Sequence, residues 1–144
     1  MVPRMTCSRN PVRQKHQLGC GVACVAFLNG EKYDAVANRM GVTAANQKGF
    51  RLRELTKYLR VSNSKYLPHH PTTVEDRILR EGTIVFIDRS NTYPYGHYLV
   101  RTADGWMDPW INYHEGAQVQ LSKAGIRKRL PGRVKWAITD DAIK

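Results

Sequence analysis

From Cys20 to Leu28 the chain reads Cys-Gly-Val-Ala-Cys-Val-Ala-Phe-Leu, a run with no charge in a sequence of which 24% is Asp, Glu, Lys or Arg. A segment like this has no face to turn to water, so it predicts a helix buried on most sides with the rest of the chain wrapped around it. Asn29-Gly30 ends that helix. Tyr33, Val36, Ala37 and Met40 fall at i, i+3, i+4 and i+7 and predict a second, amphipathic helix with Gly41 as its C-cap; Leu52, Leu55 and Leu59 mark a third. Thr72 to Leu79 opens with hydroxyl caps and early acidic residues, which predicts a short fourth helix stopping at Gly82.

The second half reads as strands. Thr83 to Ile87 is a continuous apolar strand, His97 to Thr102 another, and Ala103-Asp104-Gly105 a hairpin turn into Trp106-Met107-Asp108. Ser122 to Leu130 is expected to form another short helix, and Arg133 to Thr139 a last strand returning to the sheet. Helices first and antiparallel strands after them indicate an α+β fold in one domain spanning residues 1–144. No run reaches the length of a membrane span, and the opening residues lack the apolar stretch of a signal peptide, so a cytoplasmic protein is expected. The formal charge is +11, and no acidic residue precedes Glu31, which makes an acidic partner or a polyanion plausible.

Gln14-Lys15-His16-Gln17-Leu18-Gly19-Cys20-Gly21 carries the most chemistry. Cys20 stands where loop becomes helix, where unpaired backbone N–H groups and the positive end of the helix dipole favour a thiolate nucleophile. Gly19 and Gly21 are expected to leave room for a substrate carbonyl beside the sulfur. The oxyanion formed on attack needs donors, for which the Cys20 N–H and the Gln14 side chain are candidates, with Gln17 as a second choice. Among the histidines at 16, 69, 70, 97 and 114, His97 alone begins a strongly apolar strand, and it is the candidate base. Asp108, across the hairpin, is the candidate to orient it, with Asp104 as the rival. Pairing Thr102 with Trp106 sets Asp108 three positions off His97, so a bulge or twist is expected to close the gap.

The pattern Gln-x5-Cys-Gly-x-Ala-Cys, then Gly-His-Tyr-Leu-Val, then Asp-Pro resembles the papain-like cysteine peptidases, and within them the peptidase domain that removes double-glycine leaders from bacteriocins, along with its stand-alone relatives. The resemblance runs from Gln14 to Pro109. It implies a papain-like fold, with a helical lobe whose central helix bears the cysteine packed on an antiparallel sheet. It also implies that Cys20 is the nucleophile, His97 the base, Asp108 its orienter and Gln14 the oxyanion donor, and that Cys24 packs inside the helix. Position 19 departs from the family, which usually has Asp there.

The expected function is therefore a cysteine peptidase cutting a peptide or amide bond in a peptide or protein substrate, with no cofactor or metal. The same set can deamidate or transamidate a protein target, as small toxins and effectors of this type do. A basic nucleic-acid-binding module is the rival from another class. It draws on the basic run of Lys123, Arg127, Lys128, Arg129, Arg133 and Lys135, which has no acid between its ends and reads either as a phosphate-binding stripe or as a solvated helix face. His16, Cys20 and Cys24 share a spacing that suits a metal, but Gly19 argues against a helix from residue 16. Cys7 lies in a basic segment and is given no role. Trp106, Trp110 and Tyr113 surround Asp108 and are expected either to line a cleft, to shield the His-Asp pair or to pack the core.

Overall fold

The computed structural model describes residues 9–142; Cys7 lies outside them. Four helices, α1 (Cys20–Asn29), α2 (Tyr33–Met40), α3 (Val42–Gln47) and α4 (Leu52–Ser62), precede or cover a six-stranded sheet of β1 (Tyr66–His69), β2 (Ile84–Ile87), β3 (His97–Arg101), β4 (Trp106–Asp108), β5 (Gly125–Arg127) and β6 (Val134–Asp140). The strand order is β1-β6-β2-β3-β4-β5, and every pairing is antiparallel. The chain is thus α+β, as its sequence predicts.

Helix α1 is the axis of the molecule. Gly21 to Leu28 are all buried, which is the environment an uncharged helix requires. Gly30 closes it in the left-handed conformation at φ +67°, its N–H returning to the Ala26 and Phe27 carbonyls. Two glycines set how near its neighbours come. A Cβ on Gly21 would lie 2.8 Å from a Leu55 methyl of α4, and one on Gly19 would lie 2.2 Å from the Tyr33 hydroxyl. Both positions are glycine because the protein's own side chains fill the space, so neither leaves the opening for substrate that the sequence reading expected.

Both faces of the central strands are covered. Ile84, Tyr98, Val100, Met107 and Ile138 face the helices, while Val85, Ile87, Leu99, Trp106 and Ala137 form a second, smaller cluster with Val74. That two-sided burial explains the unbroken apolar run at β2, where one-sided burial would give alternation.

Two expected helices are absent. In place of a helix over 72–79 there is one 3-10 turn at Pro71–Thr73 followed by further turns, with Arg77 N–H bonded to the Val74 carbonyl and Arg80 N–H to that of Arg77. Val74 and Ile78 pack on the second cluster beside Leu130 and Val134, and successive three-residue turns present them without nucleating a full helix. In place of a helix over 122–130, Gly125–Arg127 pairs with β4, setting Arg127 opposite Trp106 and Gly125 opposite Asp108. The open edge of β4 offers backbone partners that a segment led by Gly125 satisfies better as a strand. The stretch around Pro68, to which the sequence pattern assigns no element, is strand β1; proline is tolerated there because β1 is at the sheet edge.

Candidate active site

The site is built at the head of α1 and the start of β3. Cys20 is the first residue of α1, half-buried, and its N–H belongs to the turn that has no acceptor within the helix. His97 opens β3, pinned by the turn before it: Gly96 adopts φ +78° and lies so close to β2 that a Cβ there would meet the Phe86 ring and the Ile87 carbonyl. Any residue but glycine at 96 would push His97 out of line.

The β3–β4 register brings the acid to the histidine. Arg101 pairs with Trp106 and Val100 with Met107, one step from the expected pairing of Thr102 with Trp106. Thr102 is drawn into the turn instead, its hydroxyl oxygen accepting the N–H groups of Asp104 and Gly105 and its own N–H reaching the Gly105 carbonyl. Continuing this register sets Asp108 opposite Leu99, two residues from His97. The two side chains then emerge on the same face as diagonal neighbours, and no bulge between β3 and β4 is needed. They meet at 2.6 Å through His97 Nε2 and Asp108 Oδ1, both residues buried.

Asp108 is held on every side. Oδ1 also accepts the Trp110 N–H at 2.9 Å, and Oδ2 accepts from Arg127 at 2.9 Å. Burial alone would push its carboxyl up, but the hydrogen bonds and charges of His97, with those of Trp110 and Arg127, hold it below its ordinary range. For His97, burial works against the charged form, yet hydrogen bonds to Asp108 and Cys20, with the charges of both, push it up to about 9. With Nε2 committed to Asp108, Nδ1 is the ring nitrogen left to face the thiol. Tyr93 stacks flat on the imidazole, ring centres 4.5 Å apart and planes 7° from parallel, and Tyr113 stacks on Tyr93 in turn. Trp110 is buried edge-on to Tyr113, so this aromatic stack walls the His-Asp pair from water. Trp106 instead belongs to the second core cluster.

Gln14 is at the site but turned from it. Its backbone N–H is tied to the Pro109 carbonyl, and its carbonyl accepts from Ser122. The side chain is buried, with Nε2 donating to the His16 and Gln17 carbonyls at 3.1 and 3.2 Å and Oε1 without a hydrogen-bond partner. Its donors are thus spent on the loop that leads into α1, and serving an oxyanion requires the amide to release one of those carbonyls. Gln17 is exposed, as is Asp104 at the hairpin tip. Cys24 is wholly buried among apolar neighbours, which pushes its thiol well up and leaves it a packing residue. His16 Nδ1 is bonded to the Tyr33 hydroxyl at 2.8 Å, His69 to Asp141, and His70 to Thr72. Among the described residues no cluster of His, Cys, Asp and Glu forms a metal site.

A cleft of about 1220 Å³ opens over Cys20 and His97, with Phe50 and the start of α4 on one wall and Phe86, Tyr95 and Trp136 on the other. Sequence reasoning missed Arg127, which it placed on a helix, and Tyr93, to which it gave no role. No local signal marks Arg127, because its role arises from a strand pairing far along the chain; Tyr93, four residues before the histidine, was within reach of an aromatic-stacking argument. A scan against protein-family models, a search of curated proteins and a search of solved structures each returned no match.

Proposed function

We propose that this chain is a papain-like cysteine peptidase, a thiol hydrolase that opens a peptide or other amide bond through Cys20, His97 and Asp108. The observation that carries the reading is the buried His97, bonded to Asp108 on one side and facing Cys20 on the other, at the floor of an open cleft. A cysteine-led central helix packed on an antiparallel sheet that supplies the histidine and the acid supports the papain-like comparison.

The residues divide the reaction as follows. The Cys20 proton passes to His97, and the thiolate attacks the carbonyl carbon, forming the C–S bond as the carbonyl electrons move onto oxygen. The Cys20 N–H receives that oxyanion, and a Gln14 N–H turned from its loop carbonyl adds a second donor. Protonated His97 gives its proton to the leaving nitrogen as the C–N bond breaks. Water, deprotonated by His97, then releases the acyl group and restores the thiol. Asp108 keeps the imidazole oriented and favours its charged form throughout.

The test is alkylation of Cys20 by iodoacetamide, followed by peptide mapping. The wild type should react fast near ~pH 6, below the range where an ordinary thiol ionises, and His97→Ala should lose that rate while its circular dichroism stays unchanged. An inert Cys20, or a rate that His97→Ala leaves intact, would overturn the reading.

A further inference from the structure

The cleft over Cys20 carries an uneven charge. Lys48, Arg51 and Arg53 line one wall and Arg89 the other, and all four are exposed. None of them has an acidic partner within 4 Å among the described residues, whereas Arg39, Arg77 and Arg127 are each paired to a carboxylate. Among the described residues, the sole acidic side chain lining the cleft is Glu54, and it is turned back to accept the Arg51 N–H at 2.9 Å across the first turn of α4. Four cations thus flank the approach to the thiol against a single carboxylate, a disposition that raises the concentration of anionic chains in the cleft.

From this we infer that the substrate is an acidic peptide segment, with Asp or Glu side chains flanking the bond placed at Cys20. The inference rests on the thiol-hydrolase reading for what happens at the cleft floor, and on the wall charges for what binds there. A peptide is favoured over a nucleic acid because a thiol, imidazole and carboxylate act on a carbonyl carbon, which a peptide backbone presents and a phosphodiester backbone lacks. Phe50, Phe86, Tyr95 and Trp136 supply apolar wall between the charges, suited to residues interspersed with the acids.

The experiment is protection of Cys20 from iodoacetamide by three acetylated, amidated decapeptides of alternating Glu-Ala, Gln-Ala and Lys-Ala, and by an oligothymidylate, with the same peptides assayed for cleavage. The Glu peptide should protect at a concentration about tenfold lower than the Gln peptide, a modest factor because exposed ion pairs are weak. The Lys peptide should not protect, and raising the salt from ~0.05 to ~0.5 M should erase the difference. The triple variant Arg51→Gln, Arg53→Gln, Arg89→Gln should lose the preference while Cys20 keeps its alkylation profile against pH. Equal protection by the Glu and Gln peptides, an unchanged preference in the triple variant, or tighter protection by the oligothymidylate would overturn the inference. If the Glu preference holds but alkylation proves independent of His97, the acidic-peptide site stands and the hydrolase reading falls.

Discussion

Gly19 illustrates how a single position records a packing decision. The hydroxyl of buried Tyr33 occupies the place a Cβ at 19 would take, and that hydroxyl is bonded to His16. Gly19→Ala is therefore expected to cost about 1–3 kcal/mol by overpacking. Adding Tyr33→Phe should recover much of that loss, since the ring carbon behind the hydroxyl stands at 3.4 Å. Urea unfolding of the two single variants and the double variant measures the coupling, and additive losses would show that the hydroxyl is not the obstacle. Arg127 is the other position where one side chain changes the chemistry. It shares the Asp108 carboxylate with His97, so removing it frees that carboxylate for the imidazolium and takes a cation from its neighbourhood. The sign follows: in Arg127→Met the His97 titration midpoint, read by NMR of the ring, should rise by up to about one unit, and Arg127→Lys should restore it. A fall, or no movement, would mean that Arg127 only braces the strand.

At the scale of elements, the site depends on β3 starting where it does. The turn at Gly96 fits against Phe86 and the Ile87 carbonyl, and its positive φ is one that other residues rarely adopt. Gly96→Ala is expected to lower stability by about 1–3 kcal/mol and to slow Cys20 alkylation at low pH by displacing His97; an unchanged alkylation rate in a destabilised protein would separate the turn from the site. The same strand shows where sequence reasoning succeeds and where it stops. Cys20, His97 and Asp108 were legible because each is a chemically narrow residue type at a punctuated position: a glycine-flanked helix start, a strand start and a strand after a tight turn. The uncharged α1 and the amphipathic α2 and α4 were legible because burial leaves a periodic record. The register of β3 on β4 was not, since it turns on the Thr102 hydroxyl capturing two backbone N–H groups, a choice that moves Asp108 by one place and onto the face of His97. Strand β5 was not legible either. Ile126 and Leu130 fit a helix spacing as well as a strand, and the free edge of β4 decided between them.

For the whole molecule, the His97–Asp108 pair ties the stability of the fold to pH, because β3, β4 and β5 meet at it through Arg127. His97 is pushed up to about 9 from an ordinary 6.5, so its contribution is fully present below 6.5 and is lost as pH rises through 9. Asp108 is held below its ordinary 3.8, so its contribution is present above 3.8 and is lost as pH falls through the lowered value. The pair therefore stabilises most between the two ordinary values, from 3.8 to 6.5. The upward shift of a buried histidine converts to about 3 kcal/mol at full strength, by the free energy carried per unit of pKa. Urea unfolding of the wild type and of His97→Gln across this range reads the effect of His97 together with that of the two groups it touches, Asp108 and Cys20. The wild-type advantage is expected to be largest below pH 6.5 and to shrink by about 3 kcal/mol as pH rises to 9. A gap that stays constant over that interval would mean that folding takes up no net proton at His97, either because the imidazole stays neutral or because its proton comes from Cys20. Fast alkylation of Cys20 near ~pH 6 marks the second case, in which the imidazolium forms in the resting site.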